Sequence, residues 1–418
     1  MESVLEIAKK AKAAAHKLAS YSAGQKNAAL SLLAKLALEN KARILEANAA
    51  DVDAARGKIS GAMLERLSLS EKKIASMAEG VEQVAALPDP VGEIMESVER
   101  PNGLRIDKVR VPIGVIGIIY ESRPNVTIDC AALCLKSGNA AILRGGSECF
   151  NTNKVLAALA REALEKSGLD PDCVQMIPTT DRAAFGELLK LDKFVDCIIP
   201  RGGEKLIRFV VENSSIPVIK HYKGVCTVYV DKSADFEMAR EIVLNAKCQR
   251  PSVCNAAENL IVHADVAEKF LPALARSLAE KGVEIRASER AAAVLSNGGV
   301  KFLPASEEDF YTEYVDLIIS ADIVDDVDAA VAFVNKYGSG HSDAIVASDE
   351  AAARKFLDGA DSSSVYWNAS TRFTDGFEFG FGAEIGISTD KLHARGPMGL
   401  RELCSYKYKI YGNGQLRG

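Results

Sequence analysis

The run Cys248-Gln-Arg-Pro-Ser-Val-Cys254-Asn255 holds the nucleophile with the most helpful surroundings. A thiol attacks a carbonyl carbon as its anion, which a helix end or a nearby cation favours. Arg250 precedes Cys254 by four residues, and Pro251 and Ser252 break the preceding helical pattern. Cys254 is therefore expected on a turn, where backbone N–H groups can face a developing oxyanion. The competing reading is an inert small core residue, the commonest fate of a lone cysteine. Eight other cysteines are available, and Cys130, Cys134 and Cys197 sit in apolar patterns that read as core.

The segment Tyr120-Glu-Ser-Arg-Pro-Asn125-Val-Thr follows an apolar run and precedes a helical pattern. Polar residues at the carboxyl end of a strand are where open α/β sheets keep their sites. Asn125 either donates its amide N–H to an oxyanion or caps the helix, and Arg123 can hold an anion. Two glycine turns, Leu143-Arg144-Gly145-Gly146-Ser147 and Pro200-Arg201-Gly202-Gly203-Glu204, each lead into a helix. There the backbone can approach a phosphate while arginine neutralises it. Neither is a GxGxxG or P-loop pattern, and Gly380-Phe-Gly382 lacks a third glycine. In the long polar loops near the C-terminus, Arg372 and Arg395 are carboxylate clamps or surface ion-pair partners. His341 reads as a loop histidine.

These residues need a frame. Apolar residues recur every three to four positions from residue 2 to about 87, predicting helices until Pro88 and Pro90. An extended stretch, Leu104 to Val111, then reads as an arm outside the core. From Ile113 the pattern alternates: strands at 113–119, 140–143, 174–177, 195–199 and 217–220, with helices at 152–166, 182–189 and 204–212. A second series places strands at 259–263, 315–320, 344–347 and 364–367. Short apolar strands alternating with helices predict α/β architecture with parallel sheets covered on both faces. Cys404 to Tyr411 alternates at period two, as would an edge strand that pairs with the earlier arm or with another subunit.

The bulk composition narrows the function classes. A chain of 418 residues, 48% hydrophobic and 26% charged, suits two or three packed globular units. A net charge of -6 gives no reason to expect nucleic acid or an anionic membrane as partner. Nine scattered cysteines without a CxxC pair argue for reduced thiols, and no metal constellation stands out. The acidic amphipathic start does not read as a signal peptide, and the apolar run 111–120 is expected to be too short to span a bilayer. A soluble, cytoplasmic protein is expected.

Together the motifs resemble the gamma-glutamyl phosphate reductase (glutamate-5-semialdehyde dehydrogenase) family of the aldehyde dehydrogenase superfamily. The most specific are Tyr120–Thr127, Pro200–Gly203, Gln249–Asn255, Ala369–Gly376 and His393–Pro397. The resemblance runs end to end. It implies an aldehyde dehydrogenase-like fold, with two parallel-sheet α/β domains and a small β oligomerisation arm. The cofactor-binding domain would be 1–97 and 112–227, the catalytic domain 228–385, and the arm 98–111 and 400–412.

The implied reaction is NADPH-dependent reduction of L-glutamyl 5-phosphate to L-glutamate 5-semialdehyde and phosphate, in proline biosynthesis. Cys254 would form a thioacyl intermediate, with Asn125 as oxyanion donor. Arg144, Gly145, Ser147, Arg201, Gly202, Gly203 and Glu313 would serve the cofactor. Glu313 matches the glutamate that holds the nicotinamide ribose. Ser147, where NAD-preferring members often carry glutamate, removes repulsion against a 2′-phosphate. Arg123, Arg250, Arg372 and Arg395 are the candidates for the substrate's anions. Where hydrolytic relatives keep a general-base glutamate, this chain has His221-Tyr-Lys-Gly224. Without that base the thioester should meet hydride or phosphate rather than water.

Thr227 and Phe333-Val334 replace histidine-bearing positions of the family and are expected off the catalytic centre. A homo-oligomer is expected, with Leu104–Val111 and Tyr406–Tyr411 at the contact, and a contact with glutamate 5-kinase is the other partner considered. An aldehyde dehydrogenase for another substrate and a silent scaffold on the same fold are the alternatives.

Overall fold

The computed structural model describes residues 2–220 and 222–417; His221, in the segment expected to lack a base, lies outside them. The chain forms two compact units, Met1–Lys220 with Gly380–Gly386 and Met398–Gly418, and His221–Phe379 with Ile387–Pro397. In the first unit the helical periodicity becomes α1 (Val4–Leu18), α2 (Ala23–Glu39), α3 (Lys41–Ala55), α4 (Gly61–Leu67) and α5 (Glu71–Ala86). Ser3, Ser22, Ser60 and Ser70 cap four of these with side-chain oxygens, satisfying N–H groups that the first turn leaves open.

After the hairpin β1 (Ile94–Glu99) and β2 (Arg105–Pro112) comes β3 (Val115–Tyr120), which leads into α6 (Asn125–Lys136). Then follow β4 (Ala140–Gly145), α7 (Phe150–Lys166), β5 (Val174–Met176), α8 (Arg182–Leu188), β6 (Cys197–Arg201) and α9 (Glu204–Asn213). The four strands after the hairpin form a parallel sheet in the order β5-β4-β3-β6. Every residue of β3 is buried, as a central strand covered on both faces requires. Ile7, Ala8 and Ala11 of α1 cover one face, packing on Val115, Ile119 and Ile142. The strand expected at 217–220 makes only a single bridge, Ile198 to Val218. Pro217 has no N–H to extend that ladder.

The second unit holds a parallel seven-stranded sheet. Its strands are β7 (Cys226–Val230), β8 (Ala257–His263), β9 (Glu284–Ala287), β10 (Leu303–Pro304), β11 (Ile318–Val324), β12 (Ser342–Val346) and β13 (Ser364–Trp367). Their order is β10-β9-β11-β8-β7-β12-β13. Helix α10 (Phe236–Cys248) joins β7 to β8. Val228, Leu260, Ile319 and Ala344 face α10 and the helix Ala264–Glu280. Tyr229, Ile261 and Ile345 face the opposite side, against Phe333, Val334 and Phe356. Phe333 and Val334 are thus core positions.

The strand expected at 315–320 begins instead at Ile318, because Val315 adopts a left-handed φ of 54° that no strand continues. Two short strands, β14 (Ile387–Ser388) and β15 (Gly396–Pro397), pair antiparallel in this unit. The last strand, β16 (Cys404–Tyr411), returns to the first unit. It pairs with β2 from Cys404↔Pro112 to Tyr411↔Arg105, giving a three-stranded sheet in the order β1-β2-β16. Of the two pairings open to this segment, with the earlier arm or with another subunit, the structure shows the first. Among the described residues no helix is long and apolar enough to cross a membrane.

Candidate active site

Cys254 lies on the turn between α10 and β8, within the second unit. Of the nine cysteines, seven are buried, and Cys248 and Cys254 are partly exposed. Burial pushes the thiols of Cys130, Cys149, Cys173, Cys197 and Cys404 to about 12, where the anion is scarce near neutrality. Burial also raises Cys134, Cys226 and Cys248. The expected turn is formed, and it sits at the amino edge of the sheet, not at the carboxyl edge.

Contacts from several elements fix this turn. Gly224, just before β7, lies so close that an added Cβ would stand 1.8 Å from the Cys254 carbonyl oxygen. The Cys226 thiol donates to that same oxygen at 3.3 Å. His341 Nδ1 lies 3.8 Å from Cys226 Sγ and 2.8 Å from Ser342 Oγ, and Ser342 meets Thr374 Oγ1 at 2.6 Å. Asn255 Nδ2 donates to the Thr374 carbonyl at 2.9 Å, and Thr371 Oγ1 donates to the Asn255 carbonyl at 2.7 Å. A polar network therefore runs beneath the turn, and buried polar groups of this kind hold a geometry only when paired. His341 is in it, a loop residue just before β12, as expected, and fully buried. Thr227, also fully buried, donates its backbone N–H to Asp343 at 2.7 Å.

Arg372 reaches the same turn. Its Nε donates to Gln249 Oε1 at 2.9 Å and its Nη1 to Asn255 Oδ1, so the guanidinium spans both sides of Cys254. Burial, followed by the charge of Arg250, holds Arg372 below its usual value. Arg250 itself is exposed on the turn. Arg395 is committed elsewhere: Nη2 donates to the Asp361 carbonyl at 2.8 Å and pairs with its carboxylate at 3.0 Å. Glu313 is half-buried in the segment before β11.

In the first unit, the candidate residues gather at the carboxyl ends of β3, β4 and β6. Asn125 is the first residue of α6 and caps nothing; its Nδ2 donates to Asp129 Oδ2 at 2.8 Å. Burial raises the Asp129 carboxyl to about 6, against the pull of Asn125 and Arg201. Arg123 is exposed beside Asn125. Tyr120, Thr127 and Asn153 form a buried chain of hydrogen bonds, 2.6 and 2.9 Å long, that ties the start of α6 to α7. At Gly145 a Cβ would meet Asn153 Nδ2 at 2.0 Å, and at Gly202 it would meet Glu121 Oε2 at 2.4 Å.

Arg144 stacks on Phe185 at 5.1 Å and donates to the Gly145 carbonyl. Arg201 lies against Gly386, where a Cβ would stand 2.5 Å from Nη1. Ser147 opens a short 3-10 turn. Two carboxylates that the sequence reading passed over hold these turns. Glu121 accepts the Gly203 N–H at 2.8 Å, and Glu148 accepts both the N–H and the hydroxyl of Ser122 at 2.7 Å.

Backbone strain marks the same places. Among the described residues, the non-glycine positions with positive φ are Ser122, Val315, Asn368 and His393. Each falls within or beside one of the polar segments named above, and such strain concentrates where function holds a backbone off its preference. Among the described residues no group of His, Cys, Asp and Glu is arranged to hold a metal.

Residues 1–292 match the aldehyde dehydrogenase family model. A gamma-glutamyl phosphate reductase of Opitutus terrae is 59% identical over 413 residues, covering 98% of this chain and 97% of that protein. The chain belongs to this family. The gamma-glutamyl phosphate reductase of Carboxydothermus hydrogenoformans is 57% identical over the full length of both chains. The solved structure of the Thermotoga maritima gamma-glutamyl phosphate reductase superposes with a TM-score of 0.97 at 45% identity, covering both chains completely. The gamma-glutamyl phosphate reductase fold is therefore this chain's fold, and the chain is an oxidoreductase of the aldehyde dehydrogenase type.

Within that family fold, sequence reasoning singled out Cys254, Asn125 and the glycine turns as candidates. It missed Gly224, Cys226, Asp129, Glu121 and Glu148. Gly224 had a signal, a glycine directly before a strand; the others are ordinary residues whose roles depend on distant partners.

Proposed function

We propose that the chain reduces L-glutamyl 5-phosphate to L-glutamate 5-semialdehyde with NADPH, through a thioacyl intermediate on Cys254. The full-length identity to proteins named gamma-glutamyl phosphate reductase carries this reading. The Cys254 thiolate attacks the acyl carbon, a C–S bond forms, the C–O bond to phosphate breaks, and inorganic phosphate leaves with the electron pair. When bound, NADPH supplies the hydride that turns the thioester into a thiohemiacetal. Loss of the adduct's hydroxyl proton and cleavage of its C–S bond release the aldehyde and return the Cys254 thiolate. Splitting one difficult step at a covalent intermediate is what nucleophilic catalysis contributes. For Asn125 we propose the role of amide donor to the oxyanion, with Asp129 fixing its orientation.

The first unit's residues fit a dinucleotide. At Gly145 and Gly202 a side chain would collide with Asn153 and Glu121, so both turns keep a bare backbone that a phosphate can approach, and Arg144 and Arg201 bring positive charge. Glu121 now accepts the Gly203 N–H, so a phosphate there would take over that hydrogen bond. Ser147 in place of a carboxylate favours NADPH over NADH, and Glu313 would hold the nicotinamide ribose. Arg123, Arg250 and Arg395 are the proposed contacts to phosphate and α-carboxylate. Arg372 joins them while also bracing the nucleophile turn. Residues 1–97 and 112–227 are read as the cofactor-binding region, 228–385 as catalytic, and 98–111 with 400–412 as an arm that joins copies of the chain. The setting is cytoplasmic proline biosynthesis.

Cys254→Ser tests the mechanism. The variant should fold and bind NADPH yet lose all semialdehyde-dependent NADP+ reduction, and appreciable turnover would defeat the thioacyl route.

A further inference from the structure

Behind the nucleophile turn lies an ion pair that the proposed chemistry does not use. Lys247 and Glu258 are both fully buried, with Nζ 2.6 Å from Oε2. Lys247 stands near the end of α10 and Glu258 is the second residue of β8, so their bond closes the base of the turn that carries Cys254. The other oxygen of Glu258, Oε1, accepts the Val315 N–H at 3.4 Å. Val315 is β-branched, exposed and held at a φ of 54°, a conformation such residues avoid. Glu313 lies two residues before it, close enough for its negative charge to add to the rise that burial imposes on Glu258. The next residue of β8, Asn259, fastens the same segment by donating to the Phe310 carbonyl at 3.0 Å.

Stability alone does not account for such a pair. Two charges taken from water gain little over well-packed apolar side chains of the same volume, whereas leaving one of them unpaired is strongly disruptive. What the pair supplies is a fixed geometry. We propose that Lys247 and Glu258 are positioning residues: Glu258 divides its oxygens between the base of the nucleophile turn and the backbone at Val315. It thereby holds Cys254 in register with the segment that carries Glu313. The inference rests on the reading of Glu313 as a cofactor contact.

Two variants test it. Glu258→Asp keeps the charge but is one methylene too short to reach both partners. The double variant Lys247→Met/Glu258→Gln removes both charges and leaves none buried alone. Each is measured by thermal unfolding, by fluorescence titration with NADPH, and by the rate at which iodoacetamide alkylates Cys254, read by mass spectrometry.

Folded variants are expected to bind NADPH about tenfold more weakly and to alkylate at Cys254 several-fold faster or slower than wild type. Glu313→Gln should weaken NADPH binding alone and leave the alkylation rate unchanged. Wild-type binding and wild-type alkylation in either folded variant would overturn the proposal. So would loss of folding in both, which would make the pair merely structural. If the wild-type chain itself failed to bind NADPH, the cofactor reading would fall and this inference with it, before any variant was made.

Discussion

Gly224 and Cys254 illustrate how closely single residues set the proposed nucleophile. A methyl group at position 224 would have to displace the Cys254 carbonyl, which stands 1.8 Å from where the Cβ would lie. A shift of about an ångström at a reacting group can cost about a hundredfold in rate. Gly224→Ala is therefore expected to lower kcat about a hundredfold while changing KM for the semialdehyde far less. An unchanged kcat would show that the turn does not depend on this contact.

Asp129 gives a pH signature. Its folded-state value near 6 exceeds the ordinary 3.8, so the folded chain holds this proton more tightly than the unfolded chain. That contribution is complete below about 3.8 and is lost as pH rises through about 6. Asp129→Asn should thus stabilise the chain more at pH 8 than at pH 4. The difference is on the order of 1–3 kcal/mol in denaturant unfolding. Equal effects at both pH values would contradict the assignment.

At the scale of elements, much of the architecture was legible from spacing. The helices before Pro88, the buried strand β3 and the existence of β16 as an edge strand followed from periodicity and proline placement, whereas its choice of β2 as partner did not. The strand at 217–220 failed because one proline removed a donor. The strand at 315–320 began late because Val315 stands at a left-handed φ of 54°, which no strand continues. The position of Cys254 was legible as a turn, but its edge of the sheet was not. Asn125 and the glycine turns do lie at carboxyl ends of strands, while the Cys254 turn gathers its partners at the amino ends of β7, β8 and β12. Nothing local in the sequence reports that Cys226, His341 and Thr374 converge there.

The turn after β4 carries its own prediction. Ser147→Glu should raise KM for NADPH about fivefold relative to that for NADH, from like-charge repulsion in a partly screened site. A clear NADH preference in the wild-type chain would already contradict the assigned role of Ser147.

At the scale of the whole molecule, β16 leaves one edge without a strand partner among the described residues and exposes Tyr406, Tyr408 and Ile410 at 48%, 58% and 62%. An exposed, apolar edge strand invites pairing with another chain. Sedimentation should find a homo-oligomer, and Tyr408→Lys/Ile410→Glu should shift it toward monomer; a monomeric wild type would remove the arm's proposed role. The central claim concerns the bond made at Cys254 and its partner. It is tested most directly by following NADP+ reduction by the purified chain with L-glutamate 5-semialdehyde, with and without inorganic phosphate. An acyl-phosphate reductase running in reverse requires phosphate to release the thioacyl group, so NADPH should accumulate only when phosphate is present. Sustained NADPH formation in its absence would mean that water takes the acyl group, and would contradict the account.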